Sequence, residues 1–192
     1  CLYNFILDEL YKKLFIKWFL YLKLYKENKL LEIDTGLFQD QLFNYVSIIG
    51  SVSGVSYTTD NNMKQAIGNV AYVFEALHDL NKLNKEFHVD AIVDGKTICG
   101  DFTLAVIANS KSVGGFRNVF KGSLTDGKFN LFLLNTNKVN TFGNLAKTFV
   151  NGIDDDIERD GFINLNFNDL KITTDSEDFW IHDGEKGFEG NG

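Results

Sequence analysis

"FHVDAIVDGKTICGDFTLAVIAN", Phe87 to Asn109, decides the fold class. Phe87, Val89, Ala91 and Val93 fall on one face at the two-residue period of a strand. Asp94-Gly95 follows, a strong hairpin signal because glycine takes positive φ without steric cost. The second arm is almost wholly apolar from Phe102 to Ala108, as in a strand covered on both sides. The stretch therefore predicts a hairpin feeding a buried sheet.

The same logic extends outward in both directions. "FNYVSIIG" (43–50) is β-branched and aromatic and closes on Gly50 and Gly54, and "GKFNLFLLN" (127–135) is a further apolar run. Late strands are expected at Phe162–Phe167, Leu170–Thr173 and Phe179–His182. Helical spacing is found in "NNMKQAIGNVAYVFEALHDLNKL" (61–83), where Met63, Ile67, Val70, Phe74, Leu77 and Leu80 form one apolar face. A short helix is expected around Asn140–Val150. Residues 1–30, rich in lysine and aromatics, place Leu7, Leu10, Leu14, Trp18 and Tyr21 at helical spacing, and Lys17 and Lys23 interrupt the apolar run short of a membrane span. The expected fold is mainly β within the α+β class: a two-sheet β-sandwich over residues 31–192 with one long and one short helix, preceded by an amphipathic helix over 1–30.

With 192 residues, 44% hydrophobic and 23% charged, the chain suits one domain plus an appendage. A net charge of -7 argues against nucleic acid as a partner, because phosphate-binding surfaces need an excess of Lys and Arg. Two cysteines, Cys1 and Cys99, make no disulfide framework and no paired metal spacing, which suits a reducing, cytoplasmic setting. No signal peptide is recognisable. The chain begins with Cys rather than Met, and the expectation is a fragment.

Several constellations fail on their chemistry. His78, His88 and His182 are not at ligand spacing with one another and are read as partly exposed side chains. "SVSGVS" lacks the Gly-x-Ser-x-Gly frame of a nucleophile elbow. In "DDDIERDGFINLNF" (154–167), Asp156, Glu158, Asp160 and Gly161 match the opening of a calcium loop, but position twelve is Phe167 in place of the bidentate Glu, so a solvated turn before a strand is expected. Two stretches remain. "ANSKSVGGFRNVFKGSLTDGKFNL" (108–131) is longer than an ordinary connection. "HDGEKG" (182–187) sets two carboxylates around one glycine, either a plain hairpin or a place where a proton is handled.

In order, "FNYVSIIGSVSGVSYTT", "AIGNVAYVFEAL", "VDGKTICGDFTLAVIANSKSVGGF", "SLTDGKFNLFLL" and "WIHDGEKG" resemble the C-terminal domain of bacterial diacylglycerol kinase-like lipid kinases from about Leu31 to Gly187. Chance matches multiply, so the ordered series is more specific than any one piece. The resemblance implies a two-domain enzyme that transfers a phosphoryl group from ATP to diacylglycerol or a related lipid hydroxyl, forming phosphatidic acid at the inner face of the membrane. It implies Glu185 as proton acceptor with Asp183 beside it, where a second carboxylate raises proton affinity. It also implies a structural Mg2+ site from the Asp126 carboxylate and the backbone carbonyls of Ser123 and Lys128.

The sequence departs from that pattern in one respect. The Gly-Gly-Asp-Gly-Thr motif that holds ATP phosphates in the N-terminal domain is absent, and the only Gly-Gly is Gly114-Gly115. Residues 1–30 do not match the family either. The chain alone is therefore expected to be inactive. The alternative is a non-catalytic β-sandwich remnant whose first helix makes membrane or protein contacts, with homo-oligomerisation left open.

Overall fold

Strand alternation and turn chemistry build twelve strands in the computed structural model, which describes residues 32–50, 85–112, 119–138, 152–154, 156–159 and 161–190. In chain order they are β1 (Gly36–Phe38), β2 (Gln41–Phe43), β3 (Val46–Gly50), β4 (Phe87–Val93), β5 (Lys96–Phe102), β6 (Leu104–Ala108), β7 (Phe129–Leu134), β8 (Ile157–Arg159), β9 (Phe162–Phe167), β10 (Leu170–Thr174), β11 (Phe179–His182) and β12 (Glu185–Glu189). They form a hairpin β1-β2, a three-stranded sheet β10-β4-β5, and a seven-stranded sheet β12-β11-β3-β6-β7-β9-β8. Every neighbouring pair is antiparallel. The mainly-β class and packed sheets agree with the sequence. Among the described residues there is no helix. The expected helices at 1–30, 61–83 and 140–150 lie outside them.

Ile33–Gly192 is one compact unit. Its main core joins the three-stranded sheet (Phe87, Val89, Ala91, Val93, Ile98, Phe102, Ile172) to one face of the larger sheet (Ile49, Ala105, Ile107, Leu131, Leu133, Leu165, Trp180). The opposite face of the larger sheet carries a second cluster, in which Val106, Phe132, Leu134 and Phe162 meet Val119, Phe120 and Ile153. Strand β6 is buried at all five residues for this reason. Each large side chain so removed from water contributes about 1.5–3 kcal/mol against the entropy of ordering the chain.

The predicted Asp94-Gly95 hairpin forms, with φ of 46° and 87° at its two central residues. Its second arm differs from the expected single strand. It divides at Thr103 into β5, in the small sheet, and β6, in the large one. Phe102 faces the main core while Leu104, two residues on, faces the other cluster, so the side-chain phase reverses at Thr103. Thr103 holds the crossing: its N–H donates to the Leu134 carbonyl at 2.8 Å, its hydroxyl donates to the same oxygen at 3.1 Å and accepts the Thr136 N–H at 3.2 Å.

The acidic run before β9 contains more order than a solvated turn. Ile157–Arg159 forms a short edge strand on β9, entered through Asp156 at φ 56°. Phe167, at the position where a calcium loop needs its Glu, is buried in the main core.

Candidate active site

The candidate site grows from a hairpin turn. β11 and β12 pair with His182 opposite Glu185, leaving Asp183-Gly184 as a two-residue loop. Its φ angles, 51° and 93°, are those of the turn type whose twist suits flanking strands, and Gly184 takes the second at no steric cost. Asp183 does more than turn the chain. Its Oδ2 accepts the Asn44 N–H at 2.7 Å, and its Oδ1 accepts the N–H groups of Tyr45 at 2.9 Å and Val46 at 2.8 Å. Its own N–H donates to the Val46 carbonyl at 2.8 Å. The carboxylate thus holds the entry to β3 instead of standing spare beside Glu185. Glu185, first residue of β12, is exposed, and among the described residues no hydrogen bond or ion pair engages its carboxylate.

The "SLTDGK" loop is held in a similar way. Asp126 Oδ2 accepts the Ser123 N–H at 2.8 Å and Oδ1 accepts the Lys128 N–H at 3.1 Å, folding the loop about its own carboxylate. Asp34 adds a second carboxylate: its Oδ2 accepts the Gly127 N–H at 2.7 Å and its own N–H donates to the Leu124 carbonyl at 2.8 Å.

A buried amide joins the two motifs. Asn109, at the end of β6 and 2% exposed, donates from Nδ2 to the Asp34 carbonyl at 2.6 Å and to the Asn44 carbonyl at 3.1 Å. Its N–H donates to the Tyr45 carbonyl at 3.0 Å. A continuous hydrogen-bonded path therefore runs from Asp183 through Asn44, Asn109 and Asp34 to Gly127. Asp183 and the Asp126 loop are brought to one end of the large sheet. Sequence reasoning missed Asn109, Asn44 and Asp34. The available signal was the lone amide closing the apolar run "LAVIAN", since a buried polar side chain requires partners.

Beneath the turn lies His182, buried with both ring nitrogens unpartnered among the described residues. It stacks on Phe43 at 5.8 Å and meets Phe38 and Phe188 edge-on or tilted. A Cβ at Gly187 would lie 2.5 Å from its Cδ2, so the glycine makes room for the ring. Burial pushes the His182 pKa below the usual histidine value, opposed by the nearby Asp183 charge. The unfolded chain then takes up a proton near pH ~6.5 while the folded chain does not. The stability present above that pH is lost as pH falls from there toward the depressed folded value. As pH falls from about 7.5, the melting temperature of the wild type is expected to change less favourably than that of His182→Phe. Only the pH slopes are compared, and equal slopes in the two proteins would remove the assignment.

The fold matches that of solved diacylglycerol kinase-like proteins. Two crystal structures of such proteins from Bacillus anthracis str. Sterne match it, one with a TM-score of 0.64 and 20% identity over 85% of this chain, the other with 0.65 and 18% over 88%. The diacylglycerol kinase of Bacillus subtilis (strain 168) is 28% identical over 121 residues, 62% of this chain. The chain spans 52–55% of the two solved structures and 40% of the curated relative. No family model matches it. Among the described residues no helix is long and apolar enough to cross a membrane.

Proposed function

We propose that residues 33–192 form the acceptor half of an ATP-dependent lipid kinase acting on diacylglycerol or a related lipid hydroxyl at the cytoplasmic face of a membrane. The observation that supports this most is the bridge through Asn109, which makes one unit of the Asp183-Gly184-Glu185 turn and the Asp126 loop. In this reading Glu185 accepts the proton of the attacking hydroxyl. The turn presents it on a rigid strand end, and Asp183 positions that turn against Asn44, Tyr45 and Val46. Transfer of a phosphoryl group depends mainly on positioning and charge compensation, so a base carried on a hairpin whose backbone Asp183 holds suits the reaction.

Mg2+ fits the Asp126 loop by donor chemistry. Each Asp126 oxygen accepts one amide hydrogen, which leaves a further lone pair on each, and oxygen donors suit a hard cation. Asp126 would hold the ion with the carbonyls of Ser123 and Lys128, and the ion would supply local order and positive charge. Because such binding favours the folded state, Mg2+ is expected to raise the melting temperature of the wild-type chain and to leave Asp126→Ala unchanged. An equal rise in both proteins would place the ion elsewhere.

The test of the function joins this chain to a nucleotide-binding domain of the kinases it resembles and supplies labelled ATP, Mg2+ and diacylglycerol in mixed micelles. Label in phosphatidic acid is expected from the joined protein and none from residues 1–192 alone. A joined, folded protein that binds ATP yet transfers nothing would overturn the reading in favour of a non-catalytic β-sandwich.

A further inference from the structure

The exposed face of the β4–β5 hairpin gathers residues that the sites above do not use. Register places His88 opposite Asp101 and Asp90 opposite Cys99, all four on the face away from the core. His88 Nε2 lies 3.3 Å from Cys99 Sγ and 3.7 Å from Asp90 Oδ1, and the three ligand atoms lie within 4.8 Å of one another. Tetrahedral zinc with Zn–S of about 2.3 Å and Zn–N or Zn–O of about 2.0–2.2 Å sets neighbouring ligands roughly 3.4–3.6 Å apart. The two His88 separations bracket that range, and the Cys99–Asp90 pair lies within 4.8 Å. The other ring nitrogen, Nδ1, is 2.7 Å from Asp101 Oδ1. With Nδ1 protonated and donating to that carboxylate, the ring presents the Nε2 lone pair toward Cys99 and Asp90. A carboxylate behind a ligating imidazole is the usual arrangement for holding the ring and raising its basicity.

We propose that His88, Cys99 and Asp90 form a binding site for a divalent cation of the zinc class, oriented by Asp101, with a fourth position open to solvent. Thiolate and imidazole donors select zinc-like ions over Mg2+, which separates this site chemically from the oxygen donors of the Asp126 loop. It does not depend on the lipid-kinase reading, since none of its residues belongs to that site.

Cobalt(II) is the probe, because thiolate ligation gives it a near-ultraviolet charge-transfer band. The reduced full chain, titrated with Co2+, is expected to bind one equivalent with that band, and Zn2+ should displace it. Cys99→Ser should lose the band, and His88→Gln and Asp101→Asn should weaken binding by about ten-fold or more. Cys1→Ser should keep the band at wild-type strength. Melting curves of all these variants confirm that each is folded. Absence of stoichiometric binding would overturn the proposal, as would a band that survives in Cys99→Ser or disappears in Cys1→Ser.

Discussion

Glu185→Gln, in the protein joined to a nucleotide-binding domain, is expected to lower turnover by about two orders of magnitude, the scale of a general base. The melting temperature should not move. Glu185 is exposed at the first position of β12, and no described residue bonds its carboxylate, so an isosteric neutral side chain costs the fold nothing measurable. The variant retains the turn, because the backbone freedom there belongs to Asp183 and Gly184. Turnover and melting are read on one preparation, with kcat and KM separated. A loss confined to KM would indicate that Glu185 binds substrate without taking its proton. Near-wild-type turnover would leave it as a strand residue only.

Asp183 should show the opposite profile. Its carboxylate accepts three backbone amides, from Asn44, Tyr45 and Val46, groups that β pairing does not satisfy. Hydrogen bonds to a charged acceptor are stronger than neutral ones, but this side chain is exposed and solvent competes. Asp183→Ala is therefore expected to cost about 2–3 kcal/mol, or roughly 4–12 °C in melting temperature for a chain of this size. Part of that cost is conformational, since φ at Asp183 is 51° and alanine resists it. Asp183→Asn isolates the remainder. Asn tolerates the left-handed region and keeps one acceptor oxygen, so its loss should be about half as large. If both variants melted with the wild type, the carboxylate would not be holding the β3 entry.

These two residues mark where the sequence could be read and where it could not. Alternation over Phe87–Val93, the Asp94-Gly95 turn and the late strands is local information, and each element forms where expected. The β1-β2 hairpin was invisible because Gln39, not glycine or asparagine, carries its positive φ of 51°. The strand break at Thr103 lies inside one apolar run, and only the Leu134 carbonyl it bonds explains it. In "HDGEKG" the turn was legible, but the partners of Asp183 lie about 140 residues earlier in the chain. His88 and Cys99 were dismissed as ligands on their sequence spacing. Hairpin register across Asp94-Gly95 makes them diagonal neighbours on one face, which spacing alone does not reveal.

Whether the two motifs form one site is decided most directly by amide hydrogen exchange in Asn109→Ala. The Asn109 side chain touches both Asp34 and Asn44 and neither catalytic candidate itself. Its loss should therefore speed exchange at Tyr45 and Val46 and at Gly127 together, while the β4–β5 hairpin keeps wild-type protection. Faster exchange at one of the two segments with the other unchanged would contradict the bridge, and the Asp126 loop and the Asp183 turn would then be independent features of the same sheet.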